Sequence, residues 1–284
     1  MEIKKIICEK EKRLSKLIDE KLNIGFGQIQ KLIRNKNIKI NGKRISQDVT
    51  VEVGSVVELY LKSFEPKIYF EDEDIVVVFK PRQIETVSES ENDLKSEMTK
   101  YYKKEIFAVH RLDRNTEGLV VFAKNEKSKN ALDEAFKNRT IHKFYYAWVV
   151  GVPEKKQGNL VAYLKKDEKK SLVTISDKKQ DGYDEIKTNY KVVKFDEKTS
   201  LLEVELLTGK THQIRAHLSH IGYPIIGDEK YGNPKINKEY KKKYQSLCAY
   251  KLIFEFDSEN YLAHLNSKII EIDSNDIGFC KNYT

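Results

Sequence analysis

Apolar residues recur along this chain with two different periods, and the switch between them marks out its elements. Near the N-terminus the spacing is helical. Leu14, Leu17, Ile18 and Leu22 share one face of a helix predicted over residues 13–22, with Arg13, Lys16 and Lys21 off that face. Asn23-Ile24-Gly25 interrupts it, and a second amphipathic helix is predicted over 28–34, with Ile29, Leu32 and Ile33 inward and Lys31 and Arg34 outward. The period then shortens to two. Residues 38–40 and 49–53 read as short strands, with the turn pair Asn41-Gly42 after the first, and 56–61 closes a compact helix-helix-hairpin module.

Beyond a short linker at 63–67 the pattern is dominated by strands. A buried-strand run covers 75–79, a helix is predicted over 94–104, and an apolar run at 106–109 leads through a polar loop to a strand at 119–123. An amphipathic helix follows at 126–137, with Leu132 and Phe136 inward. Strands are then predicted at 144–150, 171–176, 186–194, 201–207 and 247–256. Many strands with few, scattered helices point to an α+β fold built on a large, mostly antiparallel sheet. The domains expected are 1–62 and 68–284.

Charge changes the picture at one end. The 284 residues carry 52 Lys and Arg against 44 Asp and Glu, a net of +8. Residues 1–64 hold 14 basic and 8 acidic side chains, a net of +6, so the N-terminal quarter is where a polyanion partner is expected. Three cysteines, Cys8, Cys248 and Cys280, are far apart and form no C-x-x-C pair, so neither a zinc ribbon nor a disulfide framework is indicated. No apolar run approaches 18 residues and Met1 leads into an alternating charged segment, so a cytoplasmic protein without a membrane span is expected.

The candidate chemistry centres on VHRLDRNTEGLVVFAK, residues 109–124. The island His110-Arg111-Leu112-Asp113 sits between two strand-like runs and is followed by a turn-forming cluster, Asn115 to Gly118. A carboxylate held on such a loop between Arg111 and Arg114 is suited to act as nucleophile or general base; the plainer alternative is an Asp that only bonds its own turn. Other motifs lead nowhere. Gly209-Lys210-Thr211 lacks the glycine a phosphate-binding loop needs at 204, which is Val. His212, His217 and His220 have spacings that do not reproduce a zinc-binding helix face, and a structural role for them is expected. No G-x-G-x-x-G opens a helix. A glycosidase would need a second carboxylate opposite Asp113, for which Glu117 alone is near in sequence. No metal and no cofactor are expected.

Three stretches carry a resemblance. HRLDRNTEG is similar to the H-R-L-D-x-x-T-S-G signature of the RluA-type pseudouridine synthase family; KFYYAWVVG (143–151) resembles its K-x-Y-x-A-x-V-x-G segment; and residues 206–232 resemble its L-x-T-G-R-x-H-Q-I-R-x-H block and the G-D-x-x-Y-G after it. The opening of the second domain, through Lys80-Pro81, resembles the family's D-x-x-I-x-V-x-N-K-P-x-G. The N-terminal module is similar to the RNA-binding domain first seen in small-subunit ribosomal protein S-four.

The resemblance implies a pseudouridine synthase fold, and isomerisation of uridine in structured RNA, ribosomal above all; a monomer is expected. It makes Asp113 the nucleophile, Arg215 its partner through a two-pronged contact, and Tyr145 the ring against the target base. Tyr146 alternates to the opposite face of its strand. The carboxylate can act at C1′, at C6 of the ring, or in removing the C2′ proton. Arg111 is implied to fill the place the base leaves or to hold a phosphate. Further RNA contacts are expected from His110 and, in the N-terminal module, from Arg13, Lys16, Lys31, Arg34, Lys43 and Arg44.

Four positions depart from the family pattern: Arg82-Gln83 replace a small residue and Gly, Glu117 replaces Ser and is expected to point to water, and Cys248 stands where His is frequent. The competing reading is a non-catalytic RNA-binding or ribosome-assembly protein that keeps the old site.

Overall fold

The structure, a computed structural model, describes residues 2–22, 24–61, 64–89, 92–167 and 171–283. The chain folds as two compact units, Met1–Glu65 and Pro66–Thr284.

The first unit contains β1 (Glu2–Ile7), β2 (Lys12–Arg13), α1 (Leu14–Leu22), α2 (Phe26–Arg34), β3 (Ile38–Ile40), β4 (Lys43–Arg44), β5 (Thr50–Val51) and β6 (Val56–Leu61). An antiparallel sheet in the order β1-β6-β3-β4 packs against the two helices. Leu14, Leu17 and Ile18 of α1 and Ile29 and Ile33 of α2 are buried with Ile6, Cys8, Ile38, Val51, Val57 and Leu59, so the helical stripe and the strand alternation meet in one core. Asn41 and Gly42 both adopt positive φ (48° and 80°), as a tight hairpin turn demands.

Two details differ from the sequence expectation. Arg13 belongs to β2, which pairs with β5, and the helix starts after it: Leu14 N donates to Val49 O at 2.8 Å and Ser15 N to Asp48 Oδ1 at 3.0 Å. The strand expected over 49–53 shortens to β5, since Gly54 (φ 84°) and its neighbours turn the chain back.

The second unit is built on β7 (Ile68–Glu71), β8 (Ile75–Lys80), α3 (Leu94–Tyr102), β9 (Phe107–Ala108), β10 (Glu117–Ala123), α4 (Glu126–Asn138), β11 (Ile141–Val150), β12 (Gln157–Asp167), β13 (Leu172–Ser176), β14 (Asp184–Phe195), β15 (Thr199–Leu206), α5 (Gln213–His220), α6 (Pro234–Glu239), β16 (Leu247–Phe254) and β17 (Ile269–Glu271). One sheet runs β13-β12-β14-β15-β11-β16-β10-β8-β7, with β9 beside β10 and β17 beside β16. Among the described residues every pairing in this sheet is antiparallel except β10 with β16. Ile75 to Val78 of β8 and Leu119 to Ala123 of β10 are wholly buried, which explains their continuous apolar runs: both faces of the sheet are covered here. Ala131, Leu132 and Ala135 of α4 join Ile75, Val77, Leu119 and Val121 in the main core. At the other end Ala216 of α5 packs with Ala162, Leu164, Val173 and Ile186 of β12–β14. Asn125 caps α4 by accepting from Ser128 N at 2.9 Å. Among the described residues no helix is long and apolar enough to cross a membrane.

Gly118 explains the glycine that ends the HRLD signature. It lies where β10 begins to pair with β16, opposite Ala249, at φ 126°. A Cβ there would collide with the backbone of Ala249, so any other residue would push β10, the strand into which the preceding loop runs, away from β16.

Candidate active site

The loop between β9 and β10 carries Asp113 and is clamped from several sides. Thr86 Oγ1 accepts from Leu112 N at 3.1 Å and donates to Leu112 O at 3.3 Å. The carbonyl of Arg114 accepts from Gln83 N (2.9 Å) and from the ammonium of Lys80 (3.1 Å). Lys80 is fully buried, and its other donors go to Pro81 O and Ile84 O, so all three of its N–H bonds are used. Burial pulls its pKa down to about 7, against the opposing pull of the Asp113, Glu117 and Glu85 charges. Asp113 O accepts from Thr116 N, and Gln245 donates to Thr116 Oγ1 at 3.0 Å. The side chain of Asp113, 24% exposed, is thus mounted on a backbone with little freedom.

Arg215 reaches it from α5. Its Nη1 donates to Asp113 Oδ2 at 2.9 Å. The two-pronged contact expected for this pair goes elsewhere: Nε donates to Asp228 Oδ2 at 2.7 Å and Nη2 to Asp228 Oδ1 at 2.9 Å. Planar guanidinium and carboxylate match edge to edge, and only the remaining prong is left for Asp113. Asp228 has no exposed side-chain surface. Burial opposes its charge, yet the Arg215 bonds and the amides of Tyr231 and Lys230 outweigh that and hold its pKa below the ordinary carboxylate value. Burial likewise works against Arg215, and Asp228 with Asp113 more than reverses it, raising its pKa. Gly227 places Asp228: at φ 86°, with no room for a Cβ against Tyr244, it admits no other residue without strain.

Tyr231 and His212 complete this cluster. The Tyr231 ring lies 5.2 Å under the Arg215 guanidinium, and its hydroxyl accepts from Val173 N at 2.9 Å and bonds His212 Nδ1 at 3.0 Å. His212 Nε2 stands 3.9 Å from Asp113 Oδ2. Burial lowers the His212 pKa, so this ring is neutral at physiological pH. His217 bonds Thr188 Oγ1 at 3.1 Å and burial brings it to about 4. Among the described residues no group of three metal-ligating side chains is present.

Tyr145 enters from β11, where the pairing with β16 shifts register between Phe144 and Tyr145. Such a bulge re-aims the side chain that follows it. The ring is buried and lines the same cleft as Asp113, and burial, aided by the Asp113 charge, raises its pKa so that the hydroxyl stays protonated. Tyr146 instead stacks on Tyr250 at 3.9 Å. The cleft, about 680 Å³, is of the size that holds small ligands. Arg111 lines it and is exposed. His110 lines it too, but its Nε2 accepts from Val121 N at 2.8 Å and its ring packs on Phe136, with a pKa lowered to about 3 by burial. It is a neutral fastener between loop and strand.

Two departures from the family pattern prove to be one feature. Glu117, expected to face water, turns to Arg82 and accepts from its Nη2 at 2.6 Å. Gln83, at the family's glycine position, takes the left-handed conformation that glycine would favour (φ 69°).

The geometry is matched by likeness to known proteins. Residues 74–220 fit the family described as RNA pseudouridylate synthase. This chain belongs to the RluA-type pseudouridine synthases. The dual-specificity RNA pseudouridine synthase RluA of Vibrio cholerae is 34% identical over 64% of this chain and 76% of its own. The ribosomal large subunit pseudouridine synthase C of Rickettsia felis is 30% identical over 80% of this chain and 85% of its own. The human protein RNA pseudouridylate synthase domain containing 1 shares the fold, with a TM-score of 0.58 and 20% identity over 73% of this chain and 89% of that one. The synthase isomerises uridine in RNA to pseudouridine, the α+β sheet serving as its scaffold.

Asp228, Tyr231, Lys80, Thr86 and Gln245 were not singled out from the sequence. Asp228 and Tyr231 stood in the stretch GDEKYG, where an acidic residue after a glycine was the available signal.

In the N-terminal unit Lys16, Lys31, Arg34, Lys43 and Arg44 are exposed. Arg44 Nη1 donates to Lys36 O just beyond α2, and Arg13 pairs with Asp48 at 3.4 Å.

Proposed function

We propose that the synthase acts on uridines in folded RNA of the large ribosomal subunit, with Asp113 as nucleophile, Arg215 as its ion-pair partner and Tyr145 against the base. The observation that carries this is the 2.9 Å bond between Arg215 and Asp113 inside a cleft that Tyr145 also lines. Breaking the N1–C1′ bond, turning the base and joining C5 to C1′ consumes no oxidant and no nucleotide. What it requires is an anion fixed at one point and a flat surface for the base. Arg215 supplies the first by orienting Asp113 Oδ2, and stacking on Tyr145 supplies the second, at about 1–3 kcal/mol per base. A uridine within a helix must be extruded to enter, at a cost of about a few kcal/mol; Arg111 at the cleft mouth takes the vacated place or holds the adjacent phosphate. The N-terminal unit, as a module of the ribosomal protein S-four type, grips folded RNA through Lys16, Lys31, Arg34, Lys43 and Arg44, with Arg13 beside them. The ribosomal preference follows the Rickettsia relative's activity.

Mapping pseudouridines in ribosomal and transfer RNA, from cells with and without the gene, tests the target. Asp113→Asn, nearly isosteric but unable to attack as an anion, tests the chemistry. It is expected to abolish isomerisation while RNA binding and thermal stability persist; turnover within tenfold of wild type rejects Asp113 as nucleophile.

A further inference from the structure

Four cations that line the active-site cleft have no counter-ion among the described residues. Lys137 and Arg139 sit at the end of α4, Lys143 on β11, and Arg111 on the Asp113 loop; all line the cleft. Two acidic groups that also line it, by contrast, are already paired, Asp184 with Lys210 at 2.8 Å and Glu185 with Lys187 at 2.9 Å. The negative end of the α4 dipole accounts for a cation at Lys137. It does not account for Lys143, which is half-buried on a strand with its ammonium 5.3 Å over the Phe136 ring. Burial, and then the charge of Arg139 beside it, lower the Lys143 pKa; the same Lys143 charge adds to the burial that lowers His110. Like charges held together in a partly shielded cleft are costly to the free protein. They are favourable once an anion lies between them.

We propose that Lys143 and Arg139, with Lys137 at the outer edge, form a phosphate subsite that takes an RNA phosphodiester next to the extruded nucleotide. The proposal rests on the reading of this cleft as the place where uridine is isomerised, and gives that cleft a second anchoring point. Lys143 influences the imidazole of His110, three residues before Asp113, so a phosphate held by Lys143 sits at the side of the nucleophile loop. Phe136, under the ammonium and against His110 (4.7 Å between ring centroids), fixes the height at which that charge is presented. A phosphate gripped there would hold the sugar of the neighbouring nucleotide while the base turns.

The test uses the full chain and a structured fragment of large-subunit ribosomal RNA. Affinity is measured at several salt concentrations for Lys143→Met, Arg139→Gln and the pair, with single-turnover rates alongside. Each phosphate no longer neutralised is expected to flatten the slope of log affinity against log salt by about 0.7–0.9. The loss should fall on affinity more than on the rate at saturating RNA, and Lys143→Arg should restore most of it. Acetylation of Lys143 should be slowed by RNA and not by millimolar inorganic phosphate, which separates a phosphodiester in its RNA context from a free anion. Wild-type slope and affinity in the folded double variant overturn the proposal, as does protection by inorganic phosphate alone. If the variants lose slope while the wild type forms no pseudouridine in any RNA, the phosphate subsite stands and the assignment of the cleft's chemistry falls.

Discussion

Arg215 meets Asp228 through two parallel hydrogen bonds, Nε to Oδ2 at 2.7 Å and Nη2 to Oδ1 at 2.9 Å, and offers Asp113 only Nη1. The buried carboxylate therefore sets the plane of the guanidinium, and the guanidinium sets the position of Asp113. Asp228 acts on the chemistry through Arg215 and is a positioning residue.

Asp228→Asn should slow isomerisation about ten- to a hundredfold, because a misaligned Arg215 displaces the attacking oxygen. It should also destabilise the protein by about 3–5 kcal/mol near neutral pH, since it leaves a buried charge short of its partner. The pH dependence has a definite sign. The folded pKa of Asp228 lies below the unfolded value, so its stabilisation is complete above about pH 3.9 and disappears as pH falls through the folded value. Melting temperatures of variant and wild type should converge in that acid range; a gap that stays constant would show that the ion pair is not the cause.

Arg215→Lys should lose at least about tenfold in single-turnover rate despite keeping the charge. An ammonium cannot bridge two carboxylates in one plane, and Asp228, its first partner, would hold it away from Asp113. A rate equal to wild type would show that Asp113 needs no orientation from this position.

Arg82 and Glu117 should behave as one unit. Burial raises the Glu117 pKa and Arg82 opposes that rise, so Arg82→Ala leaves a half-buried carboxylate unpaired, at about 1–3 kcal/mol. A raised carboxylate pKa costs stability where the group is ionised, so the melting temperature of Arg82→Ala should recover as pH falls through the raised Glu117 value. Adding Glu117→Gln should remove both the deficit and its pH dependence. Additive losses in the double variant would mean that the 2.6 Å contact carries no coupling.

Replacing Lys31 and Arg34 by Gln should weaken binding to folded ribosomal RNA and flatten its salt dependence by about 0.7–0.9 for each phosphate that these side chains neutralise. Both are exposed on α2. Filter binding across a series of salt concentrations would reveal this, and an unchanged slope would mean that the basic face of α2 meets only water.

Much of the scaffold could be read from the chain because it is set by local spacing. The stripes of Leu14, Leu17 and Ile18 and of Ile29 and Ile33 became helices, and the alternation around Val56–Leu61 and the runs in β8 and β10 became strands, since each pattern buries its apolar face in only one of the two geometries. The HRLD loop was legible for the same reason: turn residues between two apolar runs have few conformations open to them. Other elements left no such trace. From Gln213 to Leu218 every residue of α5 is buried, so no polar face marks its period, and β12 breaks its alternation with Lys165 and Lys166 beyond the core.

The partners within the site were decided by tertiary structure alone. Asp113 and Arg215 are 102 positions apart, and Arg82 and Glu117 are 35 apart. A chain read in one dimension gives each side chain's charge and shape but not which others the sheet brings within hydrogen-bonding reach. That is why Glu117 looked like a residue for water, and why the two-pronged contact of Arg215 was expected at Asp113. Its two bonds to Asp228 arise because Gly227 and the close packing around it carry that carboxylate, and not Asp113, into the plane of the guanidinium.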